Sequence, residues 1–358
     1  MTSQPEMNGN DSVARDTWLN SLIVGMFKLI HHLEQDNFDS ERYREVAPNS
    51  FFYEHHAAYF GFFLKNLTSF FVARQLLSNE QSRSLYDQLI LFRILGHLHV
   101  RLPFNTPEAT NYRAVTDQWK IEGTQDQGLL GTLEIFAVPF DEGPMRLKCW
   151  AGNVAATFLF RQYFYGRDGE VVAPSAGDCV IDAGGCFGDT ALSFAREIGK
   201  NGYVHTFDPL KRHCAIMRES FAMNPDLAKR ISIHEVGLAD QDDEGSASHE
   251  RDMAIDPGAR VAVGGDLPTR TIDSLVAHGA IDRINFIKMD IEGSELQALM
   301  GAESALRRWR PKLAISLYHR PEDFFAIPLW LQSLGCGYRF FLDHYSIHHE
   351  ETVLYATP

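Results

Sequence analysis

From Met145 onward the chain alternates apolar strand-like runs with helical stretches, and this alternation restricts the possible folds more than any other feature. Strands are expected at Cys179–Asp182, Tyr203–Asp208, Ile231–Val236, Asn285–Asp290 and Lys312–His319. Helices are expected at Thr190–Ile198, His213–Met223 and Gly293–Arg308. Parallel strands need a crossover of about a dozen residues or more, which a helix supplies. The expected architecture is therefore α/β, a parallel sheet with helices on both faces. Tyr338–Tyr345 and Thr352–Ala356, joined by the polar link Ser346–Glu351, predict a C-terminal hairpin with an antiparallel last strand. Arg146–Trp150 reads as a further strand, and Asn153–Tyr165 as a short aromatic helix.

The first part of the chain has a different texture. Residues 1–15 are polar and expected to be disordered. From Asp16 to about residue 100 the period is helical: Leu22, Met26 and Leu29–Ile30 share one face, and Phe60, Phe63–Leu64, Leu67 and Phe70–Phe71 another. The aromatic load between Phe51 and Phe71 is read first as the core of a helical region or a homodimer contact, and second as a surface for membrane or lipid acceptor. Arg101–Gly143 carries prolines and scattered polar residues, which suit irregular or short-strand structure. The expected division is a mainly helical region at 1–145, for substrate capping or dimerisation, and a cofactor-binding domain at 146–358.

The sequence Val180-Ile-Asp-Ala-Gly-Gly-Cys-Phe-Gly-Asp-Thr190 reads as strand, tight loop and helix start. Gly184, Gly185 and Gly188 allow backbone angles and close approaches that a Cβ forbids. Ligands of open α/β sheets sit beyond the carboxyl ends of the strands, where strand order reverses. Three expected strands end in acids there: Asp182, Asp208 and Asp290. An acid at the tip of the second strand, Asp208, can accept hydrogen bonds from both hydroxyls of a ribose. The plainer reading, that such acids cap the following helices, suits one acid better than three.

Two cofactor classes compete. Ala183-x-Gly185-x-x-Gly188 is a near miss to the dinucleotide fingerprint and would make the chain an NAD(P)-dependent oxidoreductase or epimerase. A pyrophosphate, however, favours a loop without anions at a helix N-terminus, and Asp182 and Asp189 bracket this one. Negative charge suits a ligand bearing an ammonium and a sulfonium, which points to S-adenosyl-L-methionine.

Composition narrows the partners. With 33 basic and 47 acidic side chains the formal charge is −14, which disfavours nucleic acid and anionic lipid. The five cysteines form no CxxC pair and no zinc spacing, so they read as reduced thiols of a cytoplasmic protein. The first twenty residues lack the apolar core of a signal peptide. The most apolar window, Ala57–Leu77, is interrupted by Lys65, Asn66 and Arg74, so no integral membrane segment is expected.

The motifs Val180–Thr190, Val204-His-Thr-Phe-Asp-Pro209, Arg270-Thr-Ile-Asp-Ser-Leu275 and Ile284-Asn-Phe-Ile-Lys-Met-Asp-Ile-Glu-Gly-Ser-Glu295, with Glu351-Thr-Val-Leu-Tyr-Ala356, resemble the FkbM-type S-adenosylmethionine-dependent methyltransferases. The resemblance runs from about residue 146 to the C-terminus and departs at Cys186, where the family often has Asn. It implies a Rossmann-like seven-stranded sheet with an antiparallel last strand, and O-methylation of a sugar, glycan or glycosylated natural product. It further implies that Asp182 and Gly184 line the methionine end, Asp208 holds the ribose, and Gly237-Leu238 border the adenine. Asp290 would lie near the methionine amino group or the acceptor.

Methyl transfer to an aliphatic hydroxyl is an in-line displacement aided by a general base. His319, at the end of the fifth expected strand, is the candidate base, with Asp290 or Glu292 orienting it or binding acceptor hydroxyls. His344 is expected to be structural, Lys288 to make a packing or ion-pair contact, and His348-His349 to form a solvated turn. A magnesium ion on Asp290 and Glu292 is the less favoured reading, for want of a third ligand.

Overall fold

The computed structural model describes residues 9–32, 49–123, 126–128, 130–167, 169–245 and 267–358. Two compact units make up the chain: Asn111–Ser316 with Cys336–Tyr338 and Tyr355–Pro358, and Met1–Thr110 with Leu317–Gly335 and Arg339–Leu354. The fold is α/β. Its main sheet has seven strands: β1 (Cys179–Ala183), β2 (Tyr203–Phe207), β3 (Ile231–His234), β4 (Phe286–Met289), β5 (Lys312–Ser316), β6 (Arg339–His344) and β7 (Thr352–Thr357). Their order is β6-β7-β5-β4-β1-β2-β3.

The five strands from β5 to β3 in that order are mutually parallel. Val180, Ile181, Phe286, Ile287, Leu313 and Ala314 have no solvent exposure, as continuous apolar runs covered on both faces require. The chain turns one way from β1 to β3 and the other way through β4 and β5. Strand order therefore reverses between β1 and β4, which makes this pair the topological switch point. β6 and β7 are joined across Tyr345–Glu351, where Tyr345 N donates to Glu351 O at 3.0 Å. A link that short admits only an antiparallel hairpin.

The observed strands are shorter than the sequence suggests. β5 ends at Ser316, so His319 lies three residues beyond its strand rather than closing it. Asp182 lies within β1, not at its end, whereas Asp208 and Asp290 follow the last residues of β2 and β4. The helix expected at Gly293–Arg308 is two, Glu295–Met300 and Glu303–Trp309. The break has a cause: a Cβ on Gly301 would stand 2.0 Å from the Ala239 carbonyl oxygen, and Asp273 accepts from Ser304 N and Ala305 N to start the second helix.

Ahead of β1 in the same unit, Gly131–Val138 pairs antiparallel with Asp126–Gly128 and with Met145–Cys149. The expected aromatic helix at Asn153–Tyr165 is a single α turn, Ala151–Val154, running into a π-helical turn, Ala155–Leu159.

The other unit contains helices Gly9–Leu29, Asn49–Lys65, Leu67–Leu76, Glu80–Leu95 and Asp323–Ser333. Its first helix begins inside the stretch expected to be disordered, because Trp18 and Leu22 bury and carry the preceding turns with them. Residues 1–8 of that stretch lie outside the described residues. Of the aromatic load, Phe63, Phe70 and Phe71 are buried, and the Phe70 ring meets Phe325 at 5.0 Å and Phe63 at 5.2 Å. Asp87 ties three elements together, accepting from Trp18 Nε1 and, through both oxygens, from Arg74, each at 2.8 Å. No helix among the described residues is long and apolar enough to cross a membrane.

Candidate active site at the strand-order switch

Asp182 and Lys288 form the floor of the site. They stand opposite each other in adjacent strands, and Thr206 stands opposite Asp182 on the other side, so all three side chains share one face of the sheet. Asp182 has no solvent exposure; Thr190 Oγ1 reaches both its oxygens at 3.0 Å and Thr206 Oγ1 donates to Oδ2 at 2.9 Å. Lys288 Nζ, also buried, lies 3.4 Å from Asp182 Oδ1 and donates to the carbonyl oxygens of Ala183 at 3.0 Å and Gly184 at 2.7 Å. Burial pulls the ammonium down, but the carboxylates of Asp182, Asp290 and Asp189 outweigh it and hold the Lys288 pKa above the usual lysine value. Lys288 thus makes the ion-pair contact expected of it, and the hydroxyls of Thr190 and Thr206 complete a network that strand alternation alone does not reveal.

Above this floor the chain turns sharply. Gly184 has φ +79°, and a Cβ there would lie 1.8 Å from the backbone oxygen of Asp290. A Cβ on Gly185 would lie 2.1 Å from Thr206 Oγ1. The close approaches that require these glycines are made by the protein's own chain. Gly184 N and Gly185 N both donate to Phe207 O, which fixes the turn on β2. Gly188, at φ +86°, is the left-handed residue preceding helix Asp189–Ile198. Cys186 is a non-glycine residue in the left-handed region, φ 45°, which Asn tolerates better than most side chains. Burial, with Asp208 and Asp189 nearby, pushes its thiol pKa well up, so it is neutral.

Two acids flank the turn. Asp208 Oδ2 accepts from Cys186 N and from the His213 ring, both at 3.0 Å, and Oδ1 accepts from Leu210 N at 2.9 Å. Asp208 therefore spans the glycine turn and the start of helix Lys211–Ala222. His213, in the first turn of that helix, is a site residue the sequence does not single out.

Asp189 is buried and accepts from Thr157 Oγ1, in the π-helical turn, at 2.5 Å. Burial pushes its pKa up to about 6, against the lowering effects of Thr157 and Lys288. Between about pH 4 and pH 6 the unfolded chain has released this proton and the folded chain keeps it. The contribution of Asp189 to stability therefore falls as pH rises through that window, by ~3 kcal/mol for a shift of roughly two units. Asp189→Asn is expected to match or exceed the wild-type stability in urea at pH 7.5 and to lose its advantage at pH 4.5. Destabilisation by more than ~2 kcal/mol at pH 7.5 would show that the ionised carboxylate is required.

Asp290 is half-buried, and its Oδ2 accepts from the Tyr163 hydroxyl at 2.7 Å. The Tyr163 ring also faces Lys288 Nζ, 5.1 Å from the ring centroid. Tyr163 comes from a segment more than a hundred residues away, so spacing gives no hint of it. Glu292 is exposed with φ 56°, followed by Gly293 at φ 92°; this left-handed pair turns the chain into helix Glu295–Met300. The buried Glu295 accepts from Ile291 N at 2.8 Å across the same turn. Gly237 and Leu238 form a short buried strand parallel to Thr269–Arg270. Between these two strands, residues 246–266 lie outside the described residues.

The structure thus brings Asp182, Gly184, Gly185, Gly188, Asp208 and Asp290 together around one turn. His319 belongs to the segment Leu317–Gly335 of the other unit. His344, in that unit, is buried and shares a 2.9 Å hydrogen bond with Thr352 Oγ1; burial pushes its pKa down to about 3, so it is a neutral structural residue. His348 is buried rather than solvated, and its backbone N–H donates to Ser346 Oγ, whereas His349 is exposed, so the expected solvated turn is corrected at His348 alone.

Residues 182–340 match the model of the methyltransferase FkbM domain. Among solved structures, the chain is similar to the methyltransferase FkbM from Methylobacillus flagellatus KT, with 21% identity over 83% of this chain and 60% of that one and a TM-score of 0.53. The chain therefore spans 60% of the length of that protein, and the likeness is one of fold. Looser matches include Aeropyrum pernix fibrillarin with natively bound S-adenosyl-L-methionine, at 12% identity over 63% of this chain and 94% of that one, TM-score 0.35. The O-methyltransferase from Bacillus cereus in complex with SAH matches at 13% identity over 58% of this chain and 80% of that one, TM-score 0.34. No curated protein matches the chain.

Proposed function

We propose that this chain, whose residues 182–340 match the model of the methyltransferase FkbM domain, moves the methyl group of S-adenosyl-L-methionine to a hydroxyl of a sugar, glycan or glycosylated natural product. The observation that carries the cofactor reading is the charge balance at the switch point. One buried ammonium, Lys288, pairs with Asp182, and the carboxylates of Asp290, Asp189 and Asp208 around the same turn are left in excess. A site with this excess of negative charge favours a cationic ligand. A dinucleotide would add a pyrophosphate's charge to it, so the oxidoreductase or epimerase alternative is disfavoured. The sugar class of the acceptor rests on the resemblance carried by the sequence motifs.

When bound, S-adenosyl-L-methionine supplies a methyl group on a sulfonium sulfur, which leaves with the bonding electron pair as a thioether. In this reading Asp208 would hold the ribose hydroxyls and the turn at Gly184 and Gly185 the methionine end, with Gly237 and Leu238 beside the adenine. Asp290, oriented by Tyr163, holds the amino group or an acceptor hydroxyl. His319 would take the proton of the acceptor hydroxyl, with Asp290 or Glu292 as the proposed orienting carboxylate.

His319→Ala is expected to lower kcat by roughly 100- to 10,000-fold with cofactor affinity unchanged. Unchanged turnover would remove His319 from the base role. For the reaction itself, incubation with S-adenosyl-L-methionine and a panel of glycans and glycosides, read by mass spectrometry, should show the gain of one methyl group on a hydroxyl. Transfer to an amine, or to none of the panel with turnover on another acceptor class, would overturn the sugar O-methylation reading. The helical unit is proposed to cap the acceptor or to support a homodimer, and a cytoplasmic location is proposed from the reduced cysteines.

A further inference from the structure

Asp182 looks in sequence like a ligand for the cofactor's methionine end, but its partners are internal. Thr190 reaches both its carboxylate oxygens, Thr206 takes Oδ2, Lys288 Nζ stands beside Oδ1, and the side chain has no exposure. Lys288 in turn spends two donors on the consecutive carbonyl oxygens of Ala183 and Gly184, where β1 ends and the turn begins. Gly184 is at φ +79°, so those two carbonyls define how the chain leaves the sheet. The amide groups of Gly184 and Gly185 are held from the other side by Phe207 O. The turn is therefore clamped on its carbonyl side by Lys288 and on its amide side by β2.

We propose that Lys288 is a positioning residue of the methyl-transfer site: it fixes the Ala183 and Gly184 carbonyls, and so the turn that receives the cofactor, while Asp182 serves as its buried counter-ion rather than as a cofactor ligand. The inference rests on the methyltransferase reading for its ligand and on the hydrogen bonds alone for its geometry. Two roles of Lys288 are separable. Neutralising Asp182 is a charge role that an uncharged partner pair dispenses with. Holding two backbone carbonyls is a donor role that no apolar side chain replaces.

The experiment compares Lys288→Met with the double variant Lys288→Met/Asp182→Asn. The single variant leaves Asp182 buried without its cation and is expected to lose stability strongly. The double variant removes both members of the buried pair, leaves Asp189 and Asp290 without the ammonium, and retains an amide that Thr190 and Thr206 can reach, so its thermal midpoint should recover part of the loss. Its affinity for S-adenosylhomocysteine should nevertheless stay at least about 10-fold weaker, as loss of a positioning hydrogen bond requires. Amide hydrogen exchange in a peptide spanning 184–188 should be faster than in wild type at matched global stability. Recovery of both affinity and exchange protection with stability would reduce Lys288 to a charge partner and overturn the proposal. If the wild type binds no S-adenosylhomocysteine, the methyltransferase reading fails, and the exchange comparison still decides whether Lys288 holds the turn. Should the double variant fail to fold, Asp182→Asn alone provides the second arm: affinity within about threefold of wild type is expected, and a loss of about 100-fold would return Asp182 to the ligand role.

Discussion

Gly184→Ala should abolish cofactor binding and cost on the order of 3 kcal/mol or more of folding stability. Two independent penalties act at this position. A left-handed backbone costs an L-residue about 1–2 kcal/mol before any contact is counted. The new methyl would also stand 1.8 Å from the Asp290 carbonyl oxygen, a backbone atom of the neighbouring strand end that cannot rotate away. Relief requires β1 and β4 to part at the switch point, which would pull Lys288 from the carbonyls it holds. The neighbouring glycines make useful controls. At Gly185 the new methyl meets a side-chain oxygen, Thr206 Oγ1, at 2.1 Å, and at Gly188 it meets the edge of the Phe221 ring at 2.7 Å. Urea denaturation of the three alanine variants should rank Gly184→Ala as the most damaging. A Gly184→Ala variant as stable as wild type, with cofactor affinity intact, would contradict the close approach of the two strand ends.

Asp208→Ala is expected to weaken binding of S-adenosyl-L-methionine by about 100-fold or more. A charged acceptor of two ribose hydroxyls is worth roughly 1.5–3 kcal/mol per hydrogen bond, and ~2.7 kcal/mol already corresponds to 100-fold. The same substitution removes the acceptor for Cys186 N, Leu210 N and His213, so the turn and the start of the following helix lose a common anchor. Asp208→Asn separates these effects. Its one amide oxygen can still accept from Leu210 N or from Cys186 N, so part of the stability should be kept relative to Asp208→Ala while the ribose contact is weakened. Titration calorimetry of both variants alongside a melting curve distinguishes them. Loss of affinity confined to Asp208→Ala and matched by its loss of stability would assign Asp208 to the scaffold alone.

The parts of this account legible in the sequence are those written in local pattern. Apolar runs announced β1 to β5, and the short polar link announced the β6–β7 hairpin, because strand burial and link length act on adjacent residues. Their ends were less visible. Asp182 reads as a strand-end acid because it precedes a glycine loop, yet one more residue of pairing carries it inside the sheet. Lys288 was conspicuous as a charge within an apolar strand, but its partner depends on the register between β1 and β4, which no periodicity specifies. Tyr163 and Thr157 reach the site from distant segments and left no signal, and His213, five residues after Asp208, stood out by no pattern. The joining of the N-terminal helices with Leu317–Gly335 and Arg339–Leu354 in one unit is likewise a long-range pairing of apolar faces. The break at Gly301 is set by a carbonyl oxygen more than sixty residues earlier in the chain.

Most of the functional reading depends on a cationic cofactor at the switch point. Titration calorimetry of the wild-type protein with S-adenosyl-L-methionine, S-adenosylhomocysteine and NAD tests that claim directly. The account predicts saturable binding of the first two at a one-to-one ratio and none of the third. Saturable binding of NAD, with no heat from either adenosyl ligand, would contradict it.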